Sequence, residues 1–167
     1  MHMLDILTLG NETLRKTASP VENFDGELAA LIEQMSEAML VEKGIGLAAP
    51  QVGVEKRIFL CRPDDSKLWV FINPQIVLTG EQLVTYEEGC LSIPGVYADV
   101  VRPEKITIQA YDVNGKPFTI EANDILARVI QHENDHLEGV LFIDRLSERK
   151  REKVVHLYEK IHKLAKA

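Results

Sequence analysis

The sequence contains little cysteine and no long apolar run, and each shortage excludes a class of protein. Two cysteines in 167 residues, Cys61 and Cys90, are too few for the disulfide framework of a small secreted domain. No apolar run approaches the about 18 residues that a membrane span needs, and the N-terminus lacks a basic segment followed by a long apolar one. A cytoplasmic protein without a membrane association is therefore expected.

Positive charge is also scarce, because 19 Lys and Arg stand against 26 Asp and Glu and give a formal net charge of −7. This balance argues against a general affinity for nucleic acid or anionic lipid. Internal repeats, low-complexity segments and Pro/Gly/Ser-rich linkers are absent from the sequence as well. With 46% apolar and 27% charged residues, positions 1–167 are predicted to form a single domain around one core. The prediction of secondary structure does not use His2-Met3.

The apolar pattern predicts helices near both ends of the chain. An amphipathic stripe indicates a first helix over residues 25–41. A second helix is expected to be capped by Asn123 or Asp124 and to end at Gly139. A third helix is expected to begin near Ser147 and to continue to the C-terminus. Its predicted inward stripe consists of Val154, Leu157, Tyr158, Ile161 and Leu164.

Short runs rich in branched and aromatic residues predict strands in the middle of the chain. Asn114-Gly115 between two of these runs is typical of a tight antiparallel turn, because both positions tolerate positive φ. Helices that flank a sheet instead of alternating with its strands predict an α+β fold. We therefore expect a mostly antiparallel sheet packed around the second helix, with an N-terminal helix and a long C-terminal helix. The predicted strands are 57–61, 68–72, 97–101, 106–111 and 117–120.

The second predicted helix carries QHENDHL at positions 131–137. At about 100° and 1.5 Å per residue, His132 and His136 share one face and lie about 6 Å apart along the axis, so both can reach one metal ion. Glu133 lies beside them, where it can hold a metal-bound water and transfer its proton. For this motif alone, a helix that carries two histidines by coincidence remains the alternative. Asp135 points away from the metal and is expected to be a supporting hydrogen-bonding group.

A catalytic metal of this kind needs a third protein ligand and one open position. Cys90, within EGCLSIP at positions 88–94, is the best candidate for that ligand. Cys61 lies in a predicted strand, fits a buried small apolar residue, and receives no role. A third segment, GIGLAAPQ at 44–51, is rich in glycine and alanine, which lets another backbone or a ligand approach closely. A helix end followed by a loop would also explain Gly44.

These three segments resemble, in order and spacing, the signature motifs GxGLAAxQ, EGCLS and HExxDH of the peptide deformylase family. The resemblance extends over essentially the whole chain and is strongest to the shorter, Gram-negative-type bacterial enzymes. It implies hydrolysis of the formyl group from the N-terminal formyl-methionine of newly made polypeptides, with release of formate.

The resemblance also implies individual roles. One divalent metal would be held by Cys90, His132 and His136, and a water at its fourth position would attack the formyl carbon with Glu133 as general acid/base. Fe(II) is the usual physiological metal of the family, and sulfur with imidazole ligands also admits zinc, nickel or cobalt. The remaining implied site residues are the oxyanion donors Gln51 (side chain) and Leu91 (backbone N–H), the substrate-flanking Ile45 and Gly46, and a supporting ion pair of Glu88 with Arg102.

The expected substrates are N-formyl-methionyl peptides, and the protein is expected to be a monomer. A second expected partner is the ribosome, which the C-terminal helix would contact near the tunnel exit. Seven Lys and Arg against three Glu give positions 147–167 a charge of +4, which leaves −11 for the preceding residues. A solvated outer helix face is the alternative explanation. Arg128 and the segment 95–97 are expected to shape the rim of the substrate pocket.

Two other functions fit part of the pattern. A HExxH peptidase that cleaves internal amide bonds usually takes a third His or Glu ligand downstream, where only His156 and His162 follow, both expected to be solvated. A degraded homologue with a purely structural metal would require neither Glu133 nor Gln51, and the chain has both. The sequence therefore favours the deformylase.

Overall fold

The computed structural model of the protein describes residues 4–65 and 67–166. His2-Met3 and Ala167, the last residue of the predicted C-terminal helix, lie outside the described residues, and so does the side chain of Leu164. Within this part, the helices are α1 (Gly26–Val41), α2 (Asp124–Leu137) and α3 (Glu148–Lys166), with 3-10 helices at Glu12–Arg15, Ala49–Val52 and Phe142–Arg145. The strands are β1 (Gly46–Ala48), β2 (Ile58–Cys61), β3 (Trp69–Thr79), β4 (Leu83–Cys90), β5 (Ile93–Pro103), β6 (Lys105–Tyr111) and β7 (Pro117–Asn123).

The strands form two antiparallel sheets, which confirms the predicted α+β fold. One sheet has the order β1-β2-β3-β6-β7, and β4 pairs with β5 in a separate two-stranded sheet. The β6–β7 hairpin lies at Asn114-Gly115 as predicted, but Gly115 alone of the two residues has a positive φ, +80°. The difference arises because the Asp112 carboxylate accepts hydrogen bonds from the backbone N–H groups of Asn114 and Lys116 and closes a wider loop.

The larger sheet is buried on both faces at β1 and β2, and α2 packs on one of these faces. On β2, Phe59 and Cys61 pack on the side of α2, and Ile58 and Leu60 pack on the side of α1. This alternation explains why β2 is apolar throughout, as expected for a strand covered on both faces. Helix α3 covers β5 and the 3-10 helix at Phe142–Arg145.

Helix α3 departs from its predicted orientation at one position. Leu157 was expected to face inward but is 48% exposed. Val155 instead packs with Val154, Tyr158 and Ile161 against the core. The prediction for Leu157 is wrong because the inward stripe of the helix is shifted toward Val155, which leaves Leu157 at its exposed edge. In the part of the chain described, no helix is long and apolar enough to cross a membrane.

Candidate active site

Helix α2 and the end of β4 bring three metal-binding side chains together. The sulfur of Cys90 and one ring nitrogen each of His132 and His136 lie within 4.8 Å of one another. The Cys90 sulfur is 3.4 Å from Nε2 of His136, and the two imidazole centroids are 5.3 Å apart, as one helical turn requires. One thiolate and two imidazoles leave a tetrahedral ion with one open position, which is the arrangement of a catalytic site. This donor set therefore fits a divalent transition metal.

An irregularity at the end of β4 sets the position of Cys90. Glu88 pairs with Ala98 and Cys90 pairs with Ile93, so the ladder shifts its register between them. A Cβ on Gly89, between the two, would lie 2.6 Å from the ring of Tyr97, so only glycine fits there without a shift of that ring. Glu88 and Cys90, two residues apart on the strand, both face α2.

The Glu88 carboxylate orients His132. Nδ1 of His132 is 2.8 Å from Oε1 of Glu88, and Arg102 donates from Nε and Nη2 to the same carboxylate. Burial would raise the pKa of Glu88, but the hydrogen bonds with His132 and Arg102 outweigh burial and hold it well below its usual range. Because an ionised carboxylate only accepts hydrogen bonds, the Nδ1–H of His132 is the donor, and Nε2 is left for a metal. The ion pair of Glu88 with Arg102 implied by the family is present.

Glu133 is buried beside these donors with one oxygen unused. Its side chain lies against β1, since a Cβ on Gly46 would approach Oε2 of Glu133 to 2.5 Å. Its Oε1 has no hydrogen-bond partner among the described residues, which is rare for a buried oxygen and typical of an atom that faces water or a ligand. Burial raises the pKa of Glu133 to about 7, although the charge of His132 acts in the opposite direction. A carboxyl group with such a pKa can take up and release a proton near neutral pH.

The amide of Gln51 is held next to Cys90. Oε1 of Gln51 accepts from the backbone N–H of Ala48 at 2.9 Å, and Nε2 donates to Oγ of Ser92 at 3.1 Å and toward the Cys90 sulfur at 3.6 Å. These bonds fix which end of the amide points at the site. Ser92 is fully buried and was not anticipated, although its position two residues after Cys90 in the same motif was a signal.

A cavity of about 580 Å³ opens onto these groups. His136 is not among its lining residues and is 1% exposed, on the far side of the metal-binding group. Tyr97 lies at the rim and is 64% exposed, as predicted, whereas Val96 of the same predicted segment is buried in the core. Apart from His136, the predicted metal-binding, catalytic and substrate-flanking residues all line the cavity, namely Ile45, Gly46, Gln51, Cys90, Leu91, His132 and Glu133.

Three further residues for which the sequence predicted a position are buried in the structure. Arg128 contributes to the cavity wall, but the prediction of a rim position is wrong, because the side chain is buried and bonded to Glu88. Asp135 is a supporting group as predicted and accepts from Arg102 and Arg145. Cys61 is fully buried as predicted, and burial raises the pKa of its thiol well above the ordinary value, with a further contribution from the charge of Glu133.

Comparison with known proteins identifies the family. The family model for polypeptide deformylase matches residues 3–152. The chain is 45% identical over 156 residues to a peptide deformylase of Borreliella burgdorferi, covering 93% of this chain and 94% of that protein. It is also 45% identical over 166 residues to peptide deformylase 1 of Pseudomonas syringae pv. tomato, covering 98% and 99% of the two chains.

Solved structures agree with this assignment. A crystal structure of a peptide deformylase from Legionella pneumophila matches with a TM-score of 0.92 and 44% identity, covering 98% of both chains. A peptide deformylase from Synechococcus elongatus in complex with actinonin matches with a TM-score of 0.88 and 45% identity over 94% of this chain and 85% of that one. The chain therefore belongs to the peptide deformylase family, whose members are metal-dependent hydrolases that remove the N-formyl group from nascent polypeptides.

Proposed function

We propose that this chain deformylates N-terminal formyl-methionine with one divalent metal held by Cys90, His132 and His136. The observation that carries the proposal is that these three donors lie close together and that buried Glu133, whose Oε1 has no partner among the described residues, lines the cavity beside them. When bound, the metal would act as a Lewis acid on the formyl oxygen and lower the pKa of a water at its open position. Fe(II) is the proposed physiological metal, with Zn, Ni or Co able to replace it in the purified protein, because thiolate and imidazole suit all of them.

Hydrolysis of the formamide requires a proton to leave the attacking water and to reach the nitrogen of the breaking C–N bond. Glu133 performs both transfers through Oε1, whose hydrogen-bonding capacity no described residue uses. The tetrahedral intermediate carries a negative oxygen. Nε2 of Gln51 and the backbone N–H of Leu91 donate to that oxygen, and the fixed orientation of the Gln51 amide avoids the cost of ordering it during the reaction.

The substrate backbone is proposed to lie along β1. This strand is at the edge of the five-stranded sheet and pairs with β2 on one side. An extended peptide beside Ile45 and Gly46 could therefore add to the free edge by main-chain hydrogen bonds. Gly46 allows this approach and the contact with Glu133 at the same position.

One chain supplies all eight proposed site residues, so residues 1–167 are proposed to act as a single catalytic domain and as a monomer. The substrate emerges from the ribosome, which places the proposed activity in the cytoplasm. Three basic residues of α3, Arg149, Lys150 and Lys153, are exposed and could contact ribosomal RNA near the tunnel exit. Arg151 is less available, because its Nε lies 3.4 Å from Asp144.

Reversal of charge at these three positions to Glu is expected to weaken co-sedimentation with ribosomes about tenfold or more at low salt, because each lost phosphate contact lowers affinity and salt sensitivity. Hydrolysis of a free formyl-peptide should stay within about twofold of wild type. The matched control reverses three exposed lysines outside α3, namely Lys56, Lys105 and Lys116. Equal ribosome binding by both triple variants across a salt titration would show that the three basic residues of α3 are solvated surface and not a ribosome contact.

Incubation of the metal-loaded protein with formyl-Met-Ala-Ser separates the candidate activities. Deformylation releases formate and intact Met-Ala-Ser in equal amounts, measured by a coupled formate assay and mass spectrometry. An internal peptidase would cut the tripeptide and leave the formyl group attached, and a purely structural metal site would leave the substrate unchanged. Either of these two results would overturn the proposed function.

A further inference from the structure

Arg128 is a buried cation that the proposed chemistry leaves without a role. It lies on α2 one turn before His132 and is 8% exposed. Its Nη1 donates to Oε2 of Glu88 at 2.7 Å and to the carbonyl of Val100 at 2.8 Å, and its Nη2 donates to the carbonyl of Val84 at 2.7 Å. One guanidinium thus bonds to a carboxylate and to two separate backbone segments.

The three acceptors belong to both strands of the small sheet. Val84 and Glu88 are on β4, and Val100 is on β5. In the described residues, this sheet shares no strand ladder with the five-stranded sheet that packs on α2. Besides the short chain connections at residues 80–82 and 104, the position of the small sheet against α2 therefore depends on side-chain contacts between them. Cys90 is part of the small sheet, whereas His132 and His136 are part of α2.

Glu88 connects this contact to the metal-binding group. Its Oε1 accepts from His132, and its Oε2 accepts from Arg128 and from Nε of Arg102. Arg102 is on β5 and also donates to Asp135 of α2, so it links Glu88 to α2 indirectly, whereas Arg128 is itself on α2 and bonds directly to Oε2. Without Arg128, the carboxylate loses one of its restraints, and the buried carbonyl of Val100 and the partly buried carbonyl of Val84 lose a charged donor.

Building on the function proposed above, we propose that Arg128 is a positioning residue. It fixes the Glu88 carboxylate and both strands of the small sheet against α2, and so sets where the Cys90 sulfur meets the two imidazoles. The alternative is that Arg128 only forms part of the cavity wall, where its guanidinium lies 5.8 Å from the ring centre of Tyr86. The two roles differ in what they change: a wall residue alters KM, whereas a positioning residue alters metal affinity and kcat.

The test uses Co(II) as the metal probe on folded Arg128→Met and Arg128→Lys variants. Arg128→Met is expected to bind Co(II) about tenfold more weakly in competition with a chelator, the lower end of the range found when a direct partner of a metal ligand is lost, because Arg128 acts on His132 through Glu88. The thiolate-to-cobalt absorption band should change in position or intensity. The kcat for formyl-Met-Ala-Ser should fall while KM stays within about threefold. Arg128→Lys keeps the charge but cannot span three acceptors, so an intermediate Co(II) affinity is expected.

Arg57→Met is the matched control. The Arg57 guanidinium also bonds to one carboxylate, that of Glu138, and to two carbonyls, those of Ala18 and Leu137, but at the other end of α2. This variant is expected to bind Co(II) within about twofold of wild type. Co(II) affinity equal to wild type in both Arg128 variants would overturn the proposal, and so would an equal loss in Arg57→Met.

A folding failure of one variant and a failure of the proposed activity can both be distinguished from a failure of the positioning role. If Arg128→Met does not fold, Arg128→Lys decides by the same measurement, with an affinity equal to wild type counting against the proposal. Co(II) affinity and the absorption band are measured without substrate. A wild-type protein that binds Co(II) but releases no formate would therefore refute the proposed function and leave the positioning role to be decided by the cobalt data.

Discussion

Replacement of Glu133 by Gln is expected to lower kcat for formyl-peptide hydrolysis by about 10²- to 10⁴-fold and to leave the metal in place. The amide retains the shape of the carboxylate and can still hold a water, but it cannot take up a proton and pass it to the leaving nitrogen. Oε1 of Glu133 has no hydrogen-bond partner among the described residues, so little of the surrounding structure depends on that oxygen. The expected loss is therefore in turnover and not in folding.

Metal content and formate release are measured on the same sample of the Glu133 variant. Glu133→Ala should show the same pattern, with a larger cost in stability because it leaves a hole against β1. Glu121→Gln, at an exposed position of β7, controls for the loss of one acidic charge. A Glu133→Gln protein with full metal content and nearly wild-type kcat would remove Glu133 from the mechanism.

Replacement of Cys90 by Ser is expected to weaken metal binding by more than the about 10- to 100-fold that loss of an outer hydrogen-bonding partner costs, because a ligand itself is removed. A hydroxyl is a poorer donor than a thiolate to these ions. The same thiolate should make the Fe(II) form lose activity in air or peroxide faster than the Zn or Ni form, because sulfur bound to a redox-active ion is easily oxidised.

Cys61→Ala is the control for this prediction, since it removes the other thiol of the chain from a fully buried position in the core. It should lower the free energy of unfolding through the small cavity that it leaves, with metal affinity unchanged. Metal binding by Cys90→Ser as tight as in wild type would mean that the third ligand is another residue.

The parts of the site that depend on local spacing could be predicted from the sequence. The pair His132 and His136 follows from the pitch of a helix, and Gly139 ends that helix with a φ of +72° as expected. Strand β1 was missed, because its three residues, GLA, include no β-branched or aromatic side chain and are held by pairing with β2. Strand β4 was missed because its second half, EEGC, carries no β-branched or aromatic side chain.

The buried charges could not be predicted in the same way. An arginine in an amphipathic helix usually faces solvent, so the sequence gives no reason to bury Arg128. Its acceptors, Val84, Glu88 and Val100, are 28 to 44 positions away and come together only in the folded chain. The available signal was the spacing of four residues between Arg128 and His132, which places both on one face of α2.

Titration of the metal-free protein with Co(II), with thiolate-to-cobalt absorption and formate release followed on the same sample, tests whether a metal held by Cys90 supports the reaction. Both signals are expected to rise together and to reach their plateau at one equivalent of Co(II), because a single ion bound by Cys90, His132 and His136 supports the reaction. Formate release at full rate without metal, or a rate that saturates with no thiolate absorption, would contradict this expectation.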